Sequence, residues 1–267
     1  LEDYLEHTRT AVDRLASGYD EQELKNGIIK WMRGVVQKIY VKYFPPGSEL
    51  LELNAGTGTD ALYLAKNGYK VFATDISQAM IEILCGKAGR EGLAGMIRAE
   101  PYSFDEIDKI KKNDFDGVIS NFGGLNCIND FDKLSSDLAD KIKEGGRFIA
   151  AVMNRVCPWE ILSYLIKLYP KEAFRRLQKE GIEADFNKEK VRTFYFSPVR
   201  FGKFFNRYFI TERIYTLGLF TPAPYMYGLY NRFPYLVKPL MKTDEIIKGI
   251  FPFNRFGDHF IIVMKRK

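Results

Sequence analysis

Apolar residues in the first half of the chain follow two rhythms. Short apolar runs stand inside 48–56 ("SELLELNAG"), 69–75 ("YKVFATD"), 96–100 ("MIRAE"), 115–122 ("FDGVISNF") and 147–154 ("RFIAAVMN"). Glycine, proline, asparagine or aspartate punctuates most of them, as expected of buried strands. Between the runs, at 59–68, 77–92 and 129–146, apolar positions recur every three or four residues. Glycine closes each of these patterns, which predicts helices. Strand–helix units at this spacing predict a doubly wound α/β sheet with helices on both faces. Ligands bind such sheets outside the carboxyl ends of the strands.

The flanks read differently. Residues 2–17 place Leu5, Val12 and Leu15 at helical spacing and predict a surface helix ending near Gly18. Residues 19–44 predict one continuous second helix, with Asp20 as its N-cap and Pro45-Pro46-Gly47 as its stop. After Arg155 the rhythm changes. Residues 158–181 read as helical, 190–197 as strand-like, 198–205 as a short helix and 207–220 as a long strand. Residues 221–257 mix proline, aromatic and basic residues, and 258–267 form an apolar strand with a basic tail. No repeat or low-complexity linker is visible. A single domain is therefore predicted: helices over 1–46, a core over 47–154, an elaboration over 155–257 and a final core strand over 258–267.

Composition narrows the function. The chain is 46% hydrophobic and 28% charged, a balance that permits a large core. It contains no apolar run of transmembrane length and no basic-then-apolar leader. Three cysteines without C-x-x-C spacing and two histidines argue against a disulfide framework or a metal centre, and make a reducing cytoplasm the expected compartment. The net charge of +6 conceals an asymmetry. Residues 1–150 hold 24 acids and 19 bases, whereas residues 151–267 hold 21 bases and 10 acids, together with 24 of the aromatic residues. The two halves face different partners.

The stretch "LLELNAGTGTDALYLAKNGYKVFATD" (50–75) carries the chemistry. Gly56, Gly58 and Ala61 fit the loose template of a dinucleotide-binding turn, with Asp75 as the acid one strand on. Glu52, at the end of the first strand, argues against a diphosphate, because a carboxylate there would repel it. It would attract an ammonium and a sulfonium, and Asp75 is placed to accept ribose hydroxyls.

Glu52, Asn54, Gly56 and Gly58 resemble motif I of the class I S-adenosylmethionine-dependent methyltransferases, whose pattern is E/D-x-G-x-G-x-G. Asn54 stands where the family has its first glycine, and asparagine tolerates left-handed backbone. The resemblance implies S-adenosyl-L-methionine as cofactor. It implies cofactor contacts from Glu52, Asn54, Ala55, Gly56, Gly58 and Asp75, and from Ile76 against the adenine. It extends to Glu100 and Pro101 at the third strand, and to "FDGVISNFGGLNC" (115–127), where Asn121, Phe122 and Gly123 would line the reactive end. It also implies a Rossmann-like sheet that is mostly parallel with an antiparallel last strand, "FGDHFIIVMKRK". Tyr19, Asp20, Asn26, Trp31 and Arg33 resemble a lid helix before the core. Of these, Tyr19 is a candidate for the cofactor's carboxylate and for catalysis, while Arg33 reads as solvent-facing.

Each site residue also has a structural reading: Asp75 or Asn121 as a cap, Glu100 as a solvated loop acid, Tyr19 as core packing. His259, oriented by Asp258, is a candidate base at the rim of the cleft, against the alternative of a half-buried histidine satisfied by backbone. The expected partner is a small hydrophobic or acidic methyl acceptor. The aromatics of 193–196 and 222–233 are expected to cap it, with Tyr225 and Tyr227 in its pocket, against the alternative of a packed cap core. Rival readings are a nucleic-acid methyltransferase using the basic second half, peripheral membrane contact through 235–256, and a nicotinamide-dependent oxidoreductase.

Overall fold

The computed structural model describes residues 2–186 and 189–267. Three helices open the chain: α1 (Glu2–Leu15), α2 (Tyr19–Lys25) and α3 (Gly27–Tyr43). The alternating core follows as β1 (Glu49–Leu53), α4 (Thr59–Lys66), β2 (Lys70–Asp75), α5 (Gln78–Arg90), β3 (Ile97–Pro101), β4 (Phe115–Ser120), α6 (Asp132–Lys141) and β5 (Ile142–Met153). The second half contributes α7 (Pro158–Ile166), α8 (Pro170–Ala173), β6 (Ile182–Phe186), β7 (Glu189–Thr193), α9 (Pro198–Phe204), β8 (Phe209–Leu217), α10 (Tyr227–Arg232), α11 (Pro234–Ile247) and β9 (His259–Arg266).

The main sheet has seven strands in the order β3-β2-β1-β4-β5-β9-β8. Strands β1 to β5 pair in parallel, and β9 runs antiparallel to both β5 and β8. This is the expected α/β class: a mostly parallel Rossmann-like sheet with an antiparallel last strand. The order reverses between β1 and β4, so a crevice opens beyond their carboxyl ends. The central strands are apolar on both sides, as helix layers on two faces require. One apolar cluster joins α3, α4 and α5 to the sheet. The other packs Phe115, Phe148, Phe201, Phe205 and Phe260 on the opposite face.

Four local expectations are corrected. Residues 19–44 form two helices rather than one, because the Asn26 side chain accepts from Ile28 N and Ile29 N at 3.1 Å and starts α3 afresh. Asp20 lies inside the first turn of α2 and caps nothing; its carboxylate takes Thr57 Oγ1 at 2.5 Å and Lys87 Nζ at 2.9 Å. Helix α6 stops at Lys141, ahead of Gly145 and Gly146, where Ile142 leaves to pair with Phe115. Residues 158–181 break into short pieces at Leu168, whose φ is +62°, and at Pro170.

Strand β8, drawn from the stretch read as an elaboration, forms the edge of the core sheet, and the hairpin β6–β7 had no strand signal in its first arm. Phe196 joins Phe131, Phe201 and Phe204 in an aromatic cluster, which is core packing rather than an acceptor pocket. Tyr225 and Tyr227 are exposed on the surface.

Gly58 sits at φ +83°, and an added Cβ would fall into the Leu84 side chain of α5. Gly68 shares its φ, at +86°, but faces open space. Gly58→Ala is expected to destabilise the fold by about 2–4 kcal/mol, and Gly68→Ala by about 1 kcal/mol. Denaturant unfolding measures both, and equal losses would mean that the Leu84 contact contributes nothing.

Candidate functional site

Where β1 gives way to α4 the backbone turns left-handed three times, at Asn54 (φ 47°), Gly56 (φ 55°) and Gly58 (φ 83°). Asn54 adopts the conformation that normally favours glycine, and its side chain holds it there. Nδ2 donates to the Asn121 carbonyl at 2.6 Å, and Oδ1 accepts from Ser120 Oγ at 2.5 Å. The turn is thereby tied to the end of β4. On its other side Ala55 N donates to Thr74 O at 2.9 Å, and Gly56 N donates to Asp75 Oδ2 at 2.8 Å. The second oxygen of Asp75 accepts from Ser77 N at 3.0 Å, while Ser77, not Asp75, caps α5.

Glu52 lies at the end of this strand, 3% exposed, and its Oε2 has no hydrogen-bond partner. Burial, reinforced by Asp60 and Asp75 and opposed by Arg33, pushes its pKa well above the ordinary carboxylate range. Desolvation also raises Asp75, partly offset by the backbone N–H groups of Ser77 and Gly56. Asp60 is buried but fully engaged, by Arg33 Nη1, by Gln37 Nε2 at 2.8 Å and by Asn121 Nδ2 at 2.8 Å. Arg33 also binds Glu23 at 2.5 Å and lies over the Phe122 ring, 4.7 Å from its centroid. Contrary to the sequence expectation, Arg33 faces the site and not solvent. Tyr19 stands beside it, its hydroxyl pushed up to about 12 by burial.

Two cavities meet at Asn54. One, about 100 Å³, is lined by Asp75, Ile76, Tyr102, Ser103, Phe104 and Ile128, among others, with Val12 of α1 over it. The other, about 40 Å³, is lined by Tyr19, Arg33, Glu52, Gly56, Asn121 and Phe122, among others. A Cβ on Gly56 would meet nothing nearer than Tyr19 at 4.0 Å, so the space above that glycine is open to a ligand. An unpaired buried carboxylate oxygen beside acids that outnumber the single arginine fits a ligand bearing positive charge. The Asp75 carboxylate in the neighbouring cavity fits adjacent hydroxyls. These residues suit a sulfonium nucleoside and not a diphosphate.

Most of the predicted residues converge here, including Asn54, Ala55, Ile76, Asn121 and Phe122. Gly123, at φ +78°, turns the chain after Phe122, where a Cβ would meet Met153. Glu100 and Pro101 do not converge. Glu100 pairs with Arg98 on its own strand at 2.7 Å, Pro101 is exposed, and Tyr102 and Ser103 line the cavity instead. His259 is buried behind Phe122, edge-on to its ring at 5.9 Å, with Nδ1 2.8 Å from Asp258 Oδ2. It lines neither cavity. Sequence reasoning missed Thr59, Asp60, Tyr102, Ser103, Phe104, Cys127 and Ile128. Only Asp60 carried a signal, as an acid two residues beyond the last motif glycine. The others are gathered by tertiary packing.

Residues 50–146 match the sequence profile of a methyltransferase domain. Over 192 residues the chain is 30% identical to the ubiquinone/menaquinone biosynthesis C-methyltransferase UbiE of Acidiphilium cryptum, which takes in 69% of this chain and 72% of that one. It is 38% identical over 104 residues to a demethylmenaquinone methyltransferase of Clavibacter sepedonicus, 39% of this chain and 40% of that one. The chain spans less than two thirds of several curated relatives, this one and the 58% of the Symbiobacterium thermophilum demethylmenaquinone methyltransferase among them. Among solved structures, the fold is shared with a geranyl diphosphate C-methyltransferase from Streptomyces coelicolor bound to S-adenosyl-L-homocysteine. The TM-score is 0.56 at 12% identity, over 88% of this chain and 78% of that one. The chain belongs to the class I S-adenosylmethionine-dependent methyltransferases.

Glu52 yields a stability prediction. Its folded pKa is raised, so the folded state loses stability as pH climbs above the unfolded carboxylate value, and the loss levels off above the folded one. Glu52→Gln is therefore expected to raise the thermal midpoint at neutral pH by about 2–6 °C. It should leave the midpoint unchanged at a pH where both forms of Glu52 are protonated. Calorimetry at two pH values checks this.

Proposed function

We propose that this protein transfers the methyl group of S-adenosyl-L-methionine to a small, hydrophobic organic acceptor by in-line displacement. The observation that carries the reading is the buried, unpartnered carboxylate oxygen of Glu52, one cavity away from the hydroxyl-accepting Asp75. When bound, the cofactor supplies an activated methyl group on a positively charged sulfur. Glu52 attracts the ammonium end, Asp75 accepts the ribose hydroxyls, and Ile76 with Phe104 and Ile128 encloses the base. Tyr19 keeps its proton at neutral pH and donates rather than abstracts.

The acceptor class draws on the relatives, whose names specify demethylmenaquinone and ubiquinone/menaquinone biosynthesis. It also draws on the site. Half-buried Phe122, covered by Arg33, borders the reacting end, with the buried His259 imidazole held by Asp258 behind the ring. His259 is held at Nδ1 by Asp258 and lines neither cavity, which supports an acceptor whose own electrons are available over one needing deprotonation. Alignment and exclusion of water then supply the catalysis. The working compartment we propose is a reducing one, given three cysteines that are free thiols.

Titration calorimetry with S-adenosyl-L-homocysteine, S-adenosyl-L-methionine and NAD tests the cofactor reading. The first two should bind and NAD should not, and Asp75→Ala should weaken binding about 10–100-fold. NAD binding in preference to both would overturn the reading. Affinity should fall as pH drops, beginning above the ordinary carboxylate range, because protonation removes the Glu52 charge. Glu52→Gln should bind more weakly than the parent and lose that pH dependence.

A further inference from the structure

Helix α7 is amphipathic the wrong way round. Its one fully buried residue is Glu160, which takes Arg175 Nε at 2.8 Å and Arg176 at 2.9 and 3.1 Å. Leu162, Leu165 and Ile166 are exposed, while Trp159, Ile161 and Tyr164 are half-buried. The face continues past the helix through Leu168, Tyr169 and Phe174. Leu168 is 85% exposed and stands at the tip with φ +62°, a conformation normally left to glycine. A chain selected only for water would place glycine or asparagine there. The surface extends sideways, where Trp159 Nε1 donates to Phe220 O at 2.7 Å and Tyr225 approaches Ser163, so exposed Phe220 and Tyr225 border it.

We propose that this face docks on the surface of an anionic phospholipid bilayer. Lys167, Lys171 and Lys179 are exposed among the apolar residues, alongside the exposed acids Glu172 and Glu180, in the half of the chain that holds 21 bases against 10 acids. That mixture suits an interface in which apolar side chains enter the acyl boundary and ammonium groups meet lipid phosphate. Trp159 and Tyr225 at the border are the residue types that sit at headgroup level. Among the described residues no helix is long and apolar enough to cross a membrane, so the contact is peripheral. Because α7 begins directly after β5, the face lies on the rim of the crevice beyond the strand ends. It differs from the 235–256 segment that the sequence suggested for this role. The docking itself does not depend on methyl transfer.

Co-sedimentation of the full chain with phosphatidylglycerol–phosphatidylcholine vesicles tests it, with pure phosphatidylcholine vesicles as reference. Binding should favour the anionic vesicles at least tenfold and weaken with salt. The variant Leu165→Ser/Ile166→Ser/Leu168→Ser, checked for an unchanged thermal midpoint, should lose at least tenfold in binding. Lys167→Glu/Lys171→Glu, which leaves the apolar face intact, should abolish the preference for anionic lipid. The proposal is overturned if the parent does not sediment with anionic vesicles, or if both variants bind as the parent does. It is equally overturned if the serine variant instead converts a dimer in sedimentation velocity to a monomer with no change in vesicle binding.

Discussion

A carboxyl group buried without a hydrogen-bond partner is among the more costly arrangements a fold can hold, and Glu52 is one at the tip of β1. Packing alone offers no reason for it, since an alanine or leucine would extend the apolar strand. The surroundings deepen the cost, because Asp60 and Asp75 add negative charge, which Arg33 opposes. Such a site is stable when the rest of the domain over-determines it, and seven strands with two apolar faces do so here. A cation bound beside Glu52 would relieve that penalty, which is the physical basis of the proposed cofactor site.

The N-terminal helices complete this site through polar contacts. Asp20 holds Thr57 in the glycine turn, Asp13 meets Ser77 at the cap of α5, and Arg33 joins Glu23 to Asp60. One contact falls on Thr57, between the two motif glycines, and the other two on Ser77 and Asp60 just beyond the motif residues. The helices therefore position the turn and roof the cleft, with Val12 over one cavity and Tyr19 over the other.

A second buried ionic cluster organises the opposite rim. Arg176 donates to Glu160, to Asp258 and to the carbonyls of Asn154 and Asp258, and it stacks on Tyr195 at 4.8 Å. It holds the Asp258 carboxyl well below the usual range, and so keeps a charged partner on His259. This cluster explains why α7 turns its acid inward, with Leu162 and Leu165 left exposed.

The two halves of the chain differed in legibility. From β1 to β5 the apolar runs and glycine stops are local signals, and they located the strands and the turn that brings Glu52, Asn54 and Asp75 together. Asn26 as a helix cap was local too, but it was hidden inside a longer apolar period. What the linear order could not reveal was contact across it. Arg33 looked like a surface cation until Asp60 and Phe122 came to meet it, and at the end of β3 it is Tyr102 and Ser103, not Glu100, that line the cavity. The sequence by itself determined which strand end carries negative charge, because strand, turn and acid are contiguous. Only the tertiary structure decided which other side chains surround that charge and which apolar residues were left outside, because both depend on groups brought together from distant parts of the chain.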